Sequence, residues 1–288
     1  MSKKFHIVLL NDDILPQDEA LIPADGSAVR YGTGCFETFR TDSGKIFKFS
    51  EHIRRLNRGI QYLSGGSIIP VDAKKILGQV HKLLEVNDLL TKSSRVRIQF
   101  LLNENSGYEP EGNPIHYLFI TASELLADSK SLSLASVDTK VIPSTSRPVD
   151  LKLSNMLHYR NAWREARGKG ADDAILLTQD GFLAETSIAN IFWKIGNTIY
   201  TPDQSCDILP GVMRNSLIDL LAGINELNVE EGRFKPDDLK TAETVWVTNS
   251  IREIQFVNSV NDLNYDTDSE FCLTLKNWFK DYKKEHLS

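Results

Sequence analysis

Apolar residues recur along this chain in two rhythms, strict alternation and three-to-four spacing, and their order predicts the elements. FHIVLL (5–10) reads as a strand. GCFETFRTDSGKIFKFS (34–50) reads as a hairpin turning at Asp42-Ser43-Gly44. Ile53, Leu56, Ile60 and Leu63 then fall at helical spacing, with Ser50 as the expected N-cap and Gly65-Gly66 as the stop. A second helix is predicted over Val71–Leu84. SRVRIQFLL and IHYLFITA read as strands of one sheet, joined by the loop NENSGYEPEGNP.

The polar stretch SELLADSK (123–130) lies between strand-like segments and reads as an interdomain linker. It divides the chain into a smaller N-terminal domain (1–122) and a larger C-terminal domain (131–288). Beyond it short strands dominate: LSLASV, DAILLT, IANIFWKI, NTIYTP and TVWVTNS. Helices are predicted at Leu157–Arg167, at Met213–Ala222 and in SEFCLTLKNWFKDYKKE. Short mixed strands with interspersed helices predict two α/β (α+β) domains rather than a doubly wound parallel sheet.

Composition narrows the function classes. A chain of 288 residues with 41% hydrophobic and 25% charged residues is ordinary for a globular protein with a sizeable core. The net charge of −6 and the lack of a basic block argue against nucleic-acid or anionic-membrane partners. Cys35, Cys206 and Cys272 are odd in number and form no CxxC pair, which points away from zinc and fits a reducing compartment. The apolar part of MSKKFHIVLLNDD is too short for a signal peptide, and no run approaches the roughly 20 residues of a membrane span. A cytoplasmic protein is expected. Neither a GxGxxG nor a GxxxxGK[ST] loop occurs.

Four segments could carry chemistry. Lys152 stands between two leucines in DLKLSN; alone, it is most simply a solvated charge. Glu185 follows the Asp180-Gly181 turn in DGFLAETSIANIFW and is either a solvent-facing strand end or a carboxylate for a heterocyclic nitrogen. DILPGVMR places Pro210 and Gly211 before a helix, either as a plain cap or as a phosphate-binding helix start. Thr248-Asn249-Ser250 ends a strand and fits an ordinary turn or the rim of a phosphate cup. One chemistry uses all four: pyridoxal phosphate needs a lysine amine, a partner for its ring nitrogen and a phosphate anchor. The lysine must shed its proton to attack a carbonyl, which burial and nearby positive charge favour. An arginine suits the phosphate through its planar fork.

In order and content these segments resemble the class IV pyridoxal-phosphate enzymes of fold type IV. That family includes branched-chain and D-amino-acid aminotransferases and aminodeoxychorismate lyases. The resemblance runs from VRYGTGCFETFR to VWVTNSIREI and implies a two-domain homodimer with the cofactor between the domains. It puts the Schiff-base lysine, which also moves the substrate Cα proton, at Lys152. It puts the pyridine-nitrogen carboxylate at Glu185. The phosphate arginine falls on Arg55, chosen over Arg54 by the pattern His-x-x-Arg-Leu. Further phosphate contacts fall on the Val212 and Met213 backbone, where many members have Ile-Thr, and on Ser250 with Asn249.

Within the family, YGTGCFETFR and VTNSIREI look most like the lyases. Thr38 is the distinguishing residue, since branched-chain enzymes usually carry glycine there; the resemblance gives it proton delivery to departing pyruvate. The implied reaction is 4-amino-4-deoxychorismate to 4-aminobenzoate and pyruvate. An aminotransferase using branched-chain or D-amino acids with 2-oxoglutarate shares the early steps and stays open, as does a non-catalytic cofactor-binding protein. Arg30, Arg40 and Arg97 lie in segments that line the substrate side in family members, and Arg95 and Arg97 share a strand face by alternation. Tyr31 and Phe36 are expected to wall the pocket. Arg252 is read as either a second carboxylate contact or a surface charge, and Tyr108 as a residue reaching a neighbouring subunit.

Overall fold

The computed structural model describes residues 6–104, 115–125 and 131–288. Contacts sort the chain into two units. One holds Met1–Ala127, Leu151–Asn155 and Leu287–Ser288; the other holds Asp128–Asp150 and Met156–His286.

Alternation builds the first unit. Strands β1 (Ile7–Leu10), β2 (Asp13–Pro16), β3 (Gly34–Asp42), β4 (Lys45–Ile46), β5 (Ser93–Asn103) and β6 (Ile115–Glu124) form an antiparallel sheet in the order β2-β1-β6-β5-β3-β4. Val96, Ile98 and Phe100 of β5 face one way. They meet Ile53, Leu56 and Ile60 of α2 (Phe49–Ser64) and Ile76, Val80 and Leu83 of α3 (Ala73–Val86). Each such buried side chain is worth about 1.5–3 kcal/mol of transfer free energy. Arg95, Arg97 and Gln99, the intervening residues, are turned to the opposite face. Ser43 (φ 50°) and Gly44 (φ 76°) make the two-residue β3–β4 turn, with Thr41 opposite Ile46; such tight hairpins need two left-handed residues.

Three expected boundaries move. Helix α2 begins at Phe49, because Lys48 in the left-handed region (φ 50°) swings the chain out of the short β4; Ser50 lies inside the first turn instead of capping it. Helix α3 begins at Ala73, where the Asp72 side chain accepts the Lys75 N–H at 2.8 Å. Ser123 and Glu124, assigned to the linker from sequence, continue β6 opposite Arg95 and Ser94. Residues 126–130 of that stretch lie outside the described residues.

The second unit is a mixed sheet of β7 (Leu132–Ser136), β8 (Asp173–Leu177), β9 (Leu183–Thr186), β10 (Asn190–Ile195), β11 (Thr198–Pro202), β12 (Asn228–Gly232), β13 (Thr244–Asn249) and β14 (Glu253–Val260). Their order is β12-β11-β10-β13-β14-β7-β8-β9, and β15 (Leu263–Asn264) pairs with β14. The β7–β8, β7–β14 and β11–β12 pairs are parallel and the others antiparallel. Trp193, Val245 and Val247 pack on one face. Phe192 and Trp246 pack on the other, against α5 (Val212–Ala222) and α6 (Glu270–Glu285). Apolar cover on both faces explains why IANIFWKI and TVWVTNS read as nearly continuous apolar runs. A third cluster joins Ala162 and Ala166 of α4 (Leu157–Gly168) to Ala174 and Leu176 of β8.

Leu151–Asn155 belongs to the first unit, where the sequence reading had put Lys152 in the C-terminal domain. Its physical reason is local: Leu151 and Leu153 are buried in the first unit's core, and the stretch pairs with β3. Among the described residues no helix is long and apolar enough to cross a membrane.

Candidate active site

The lysine stretch lies along the start of β3 as an added strand of a single bridge. The Phe36 N–H donates to Lys152 O at 2.9 Å and the Ser154 N–H to Gly34 O at 2.8 Å, with Cys35 and Leu153 bridged between them. Because Leu153 enters the core, alternation sends Lys152 and Ser154 to the other face. The two leucines of DLKLSN are thus what aims the amine. Lys152 is half-buried, with Nζ 5.0 Å from the Phe36 ring centroid. The Arg97 guanidinium lies over the same ring at 3.7 Å. Thr38 is the cross-strand partner of Arg97. Lys152, Phe36, Thr38 and Arg97 are therefore gathered on one sheet face of the first unit. Burial, and then the charge of Arg95, lower the Arg97 pKa to about 10, which still leaves it a cation at neutral pH.

Other expected residues are placed differently. Arg40 is ion-paired with Asp42 at 2.8 Å. Arg30 and Tyr31 are exposed at the end of α1 (Ser27–Arg30). Of the neighbouring arginines, Arg54 is exposed and pairs with Glu51, whereas Arg55 is buried and clamps Glu37 through Nε at 2.6 Å and Nη2 at 2.8 Å. His52 Nδ1 lies 2.7 Å from the same carboxylate. Burial alone would raise the Glu37 pKa; Arg55, by charge and hydrogen bond, and His52 outweigh it and hold it at about 2. Tyr108 lies outside the described residues.

In the second unit Glu185 is buried on β9. It accepts hydrogen bonds from the Tyr159 hydroxyl, from Asn190 Nδ2 at 3.1 Å and from the Leu209 N–H at 3.3 Å. Burial first, and then the Glu185 charge, push the Tyr159 pKa well up, so the phenol stays protonated and donates. The neighbouring His158 ring, 4.0 Å away, is lowered to about 4 by burial and by Arg147, and is neutral at pH 7.

Asn190 also donates to Leu209 O at 2.8 Å, which ties β10 to the segment entering α5. Gly211 caps that helix, and a Cβ there would sit 2.3 Å from Asn190 Oδ1. Val212 and Met213 form the buried first turn, whose N–H groups lack intrahelical acceptors. Asn249 Oδ1 accepts the Ile251 and Arg252 N–H groups at 3.0 and 2.8 Å, so this side chain shapes the β13–β14 turn that carries Ser250. Arg252 is exposed and donates to Gln255 Oε1 at 3.1 Å.

Sequence reasoning passed over Tyr159, Gln99 and Ser154. Tyr159 shares helical spacing with the small Ala162 and Ala166, and a phenol on such a buried stripe needs a polar partner. Gln99 continues the Arg95, Arg97 alternation. Among the described residues no group of His, Cys, Asp and Glu is arranged to hold a metal.

The amino-transferase class IV pattern matches residues 34–260. The aminodeoxychorismate lyase of Bacillus subtilis is 31% identical over 91% of this chain and 89% of its own length. A probable branched-chain-amino-acid aminotransferase of Rickettsia bellii is 26% identical over 88% of this chain and 87% of its own. Among solved structures, the Escherichia coli branched-chain amino acid aminotransferase superposes with a TM-score of 0.89 at 20% identity over 99% of both chains. The branched-chain amino acid aminotransferase of Thermobaculum terrenum in its PLP-bound holo-form does so with 0.87 at 20%, over 99% of this chain and 98% of that one. The two units are those of fold type IV, and the chain belongs to the amino-transferase class IV family of pyridoxal-phosphate-dependent enzymes.

Proposed function

We propose that this class IV enzyme is an aminodeoxychorismate lyase, converting 4-amino-4-deoxychorismate to 4-aminobenzoate and pyruvate. The observation that carries this reading is Thr38. It is opposite Arg97 on the sheet face that also bears the Lys152 amine, and the relative with this activity in its name is 31% identical.

The donor set fits pyridoxal phosphate. There is an amine between two buried leucines, a buried carboxylate ringed by neutral donors, and a helix start where a Cβ would clash. The cofactor supplies the electron sink at the substrate Cα. In this reading Lys152 would hold the cofactor and take the Cα proton, the proton that balances the one gained by the departing pyruvate, since the carbon left behind becomes aromatic. Glu185, fixed by Tyr159 and Asn190, keeps a proton on the ring nitrogen. Arg55, the Val212 and Met213 N–H groups and Ser250, on the turn that Asn249 shapes, hold phosphate. Arg97 receives a substrate carboxylate beside Phe36, and Thr38 hands a proton to the departing pyruvate. Arg30, Arg40, Tyr31 and Arg252 are left outer roles. A cytoplasmic homodimer belongs to the same reading, and light scattering of the purified protein tests the dimer.

Branched-chain aminotransferases among both the sequence relatives and the structural neighbours favour transamination as the second reading. The test supplies purified holoenzyme with aminodeoxychorismate, and in parallel with L- and D-amino acids plus 2-oxoglutarate, using Lys152→Ala as the inactive control. Release of both 4-aminobenzoate and pyruvate is expected, with Thr38→Gly losing about a hundredfold or more of it, the usual contribution of a placed proton donor. Brisk amino transfer without that release would overturn the lyase reading.

A further inference from the structure

Gln99 lies outside every role assigned above, yet its amide joins Arg97 to Ser154, a residue two positions from Lys152. Its Oε1 accepts from Arg97 Nε at 3.2 Å and from Arg97 Nη2 at 2.6 Å. Its Nε2 donates to Ser154 Oγ at 2.6 Å, to Cys35 O at 3.3 Å and, more weakly, to Phe100 O at 3.5 Å. Ser154 is two residues from Lys152 on the same added strand. A Cβ at Gly34 would come within 2.7 Å of Ser154 Oγ, so glycine at this position is what makes room for the Ser154 hydroxyl. The contacts close a ring: Lys152 over Phe36, Arg97 over Phe36, Arg97 to Gln99, Gln99 to Ser154, and Ser154 back along the strand to Lys152.

A guanidinium offers five N–H donors in a fixed fork. Gln99 takes the side formed by Nε and Nη2, and Phe36 covers one face. Among the described residues, what stays open is the end-on fork of Nη1 and Nη2, the geometry that grips a carboxylate with two parallel bonds. The choice of side chain matters. A carboxylate in place of Gln99 would cancel the Arg97 charge, and a hydrocarbon would leave the guanidinium free to swing. A neutral amide holds Arg97 still and leaves its charge for the ligand.

We propose that Gln99 is a positioning residue for substrate recognition. It locks Arg97 in register with the strand that carries Lys152, so that a substrate carboxylate is read at a fixed offset from the reactive amine. The inference rests on the reading of Lys152 and Arg97 given above.

The test uses holoprotein with pyridoxal phosphate, as wild type, Gln99→Leu, Gln99→Glu and Ser154→Ala. Three quantities are read: the visible absorbance and affinity of the bound cofactor, KM against kcat, and the absorbance change on titration with succinate. For Gln99→Leu we expect KM and the succinate dissociation constant to rise about tenfold, an effect of one lost orienting contact. Its kcat and cofactor affinity should stay within about twofold. Gln99→Glu should weaken succinate at least as much, because it neutralises the reader. Ser154→Ala cuts the ring without touching Arg97 and should raise KM by a smaller factor. Unchanged succinate binding in Gln99→Leu overturns the proposal, as does an equal loss of cofactor affinity and kcat, which would mark Gln99 as packing alone. Absence of lysine-bound cofactor absorbance in the wild type would instead overturn the parent reading, and the proposal with it.

Discussion

Glu37 shows how much one residue can be asked to carry. It is fully buried, held by Arg55 and His52, and it alternates on β3 with Phe36 and Thr38, so it points to the α2 side of the sheet. Removing one partner of such a pair strands a buried charge, at a cost of about 3–5 kcal/mol. Glu37→Gln should therefore lower the urea midpoint strongly at neutral pH. Acid adds a second signature. The carboxyl sits at about 2 in the folded chain against 4.5 ordinarily. As the pH falls, the unfolded chain binds the proton first, so this stabilisation is present above 4.5 and drains away toward 2. Wild type should lose stability steeply over that window, and Glu37→Gln should lose less. Parallel slopes in urea midpoint against pH would refute the pairing. If Arg55 holds phosphate, Glu37→Gln should weaken the cofactor as well.

At the scale of elements, the helices were legible where apolar spacing and caps agreed. Gly65 (φ 57°) ends α2 where Gly-Gly predicts, and Ser269 caps α6, accepting the Cys272 N–H. Residues lacking such local marks were not legible. Strand β12, Asn-Val-Glu-Glu-Gly, has almost no apolar pattern and exists because β11 offers it a parallel edge. Of the proposed site, Lys152 and Glu185 were read from segment order. Tyr159, which donates to Glu185, and Gln99, which bonds Arg97 and Ser154, were missed because a hydrogen bond between side chains leaves no periodicity to read. Gly211 is one consequence of such a contact. Gly211→Ala would press a methyl on Asn190 Oδ1 and disturb the bonds of Asn190 to Glu185 and Leu209. Overpacking of this kind costs roughly 1–3 kcal/mol. We expect a lower Tm and weakened cofactor binding by equilibrium dialysis. Gly223→Ala, whose methyl would meet its nearest atom at 3.4 Å, is the mild control.

For the whole molecule, the path of the chain sets the terms. It leaves the first unit, returns for Leu151–Asn155, leaves again and comes back for Leu287–Ser288. All four tryptophans, at 163, 193, 246 and 278, lie in the second unit, so indole emission reports that unit alone. Leu153 is in the first unit's core, and Leu153→Ala should cost about 2–5 kcal/mol there. Both flanks of the lysine stretch run into the second unit, so loosening it frees the anchors of that unit's chain. The urea midpoint seen by tryptophan emission should fall too, and an unmoved midpoint would show that the units melt separately.

The same five-residue excursion bears on dissection of the gene. A piece ending near residue 127 would express a sheet whose β3 lacks its added strand and whose core lacks Leu151 and Leu153. The complementary piece would carry those leucines with nothing to bury them. Neither half is a self-sufficient cassette, so recombination that trades substrate-reading halves between related chains has to exchange residues 151–155, and Leu287–Ser288, where Ser288 bonds to Ile46, along with the N-terminal piece.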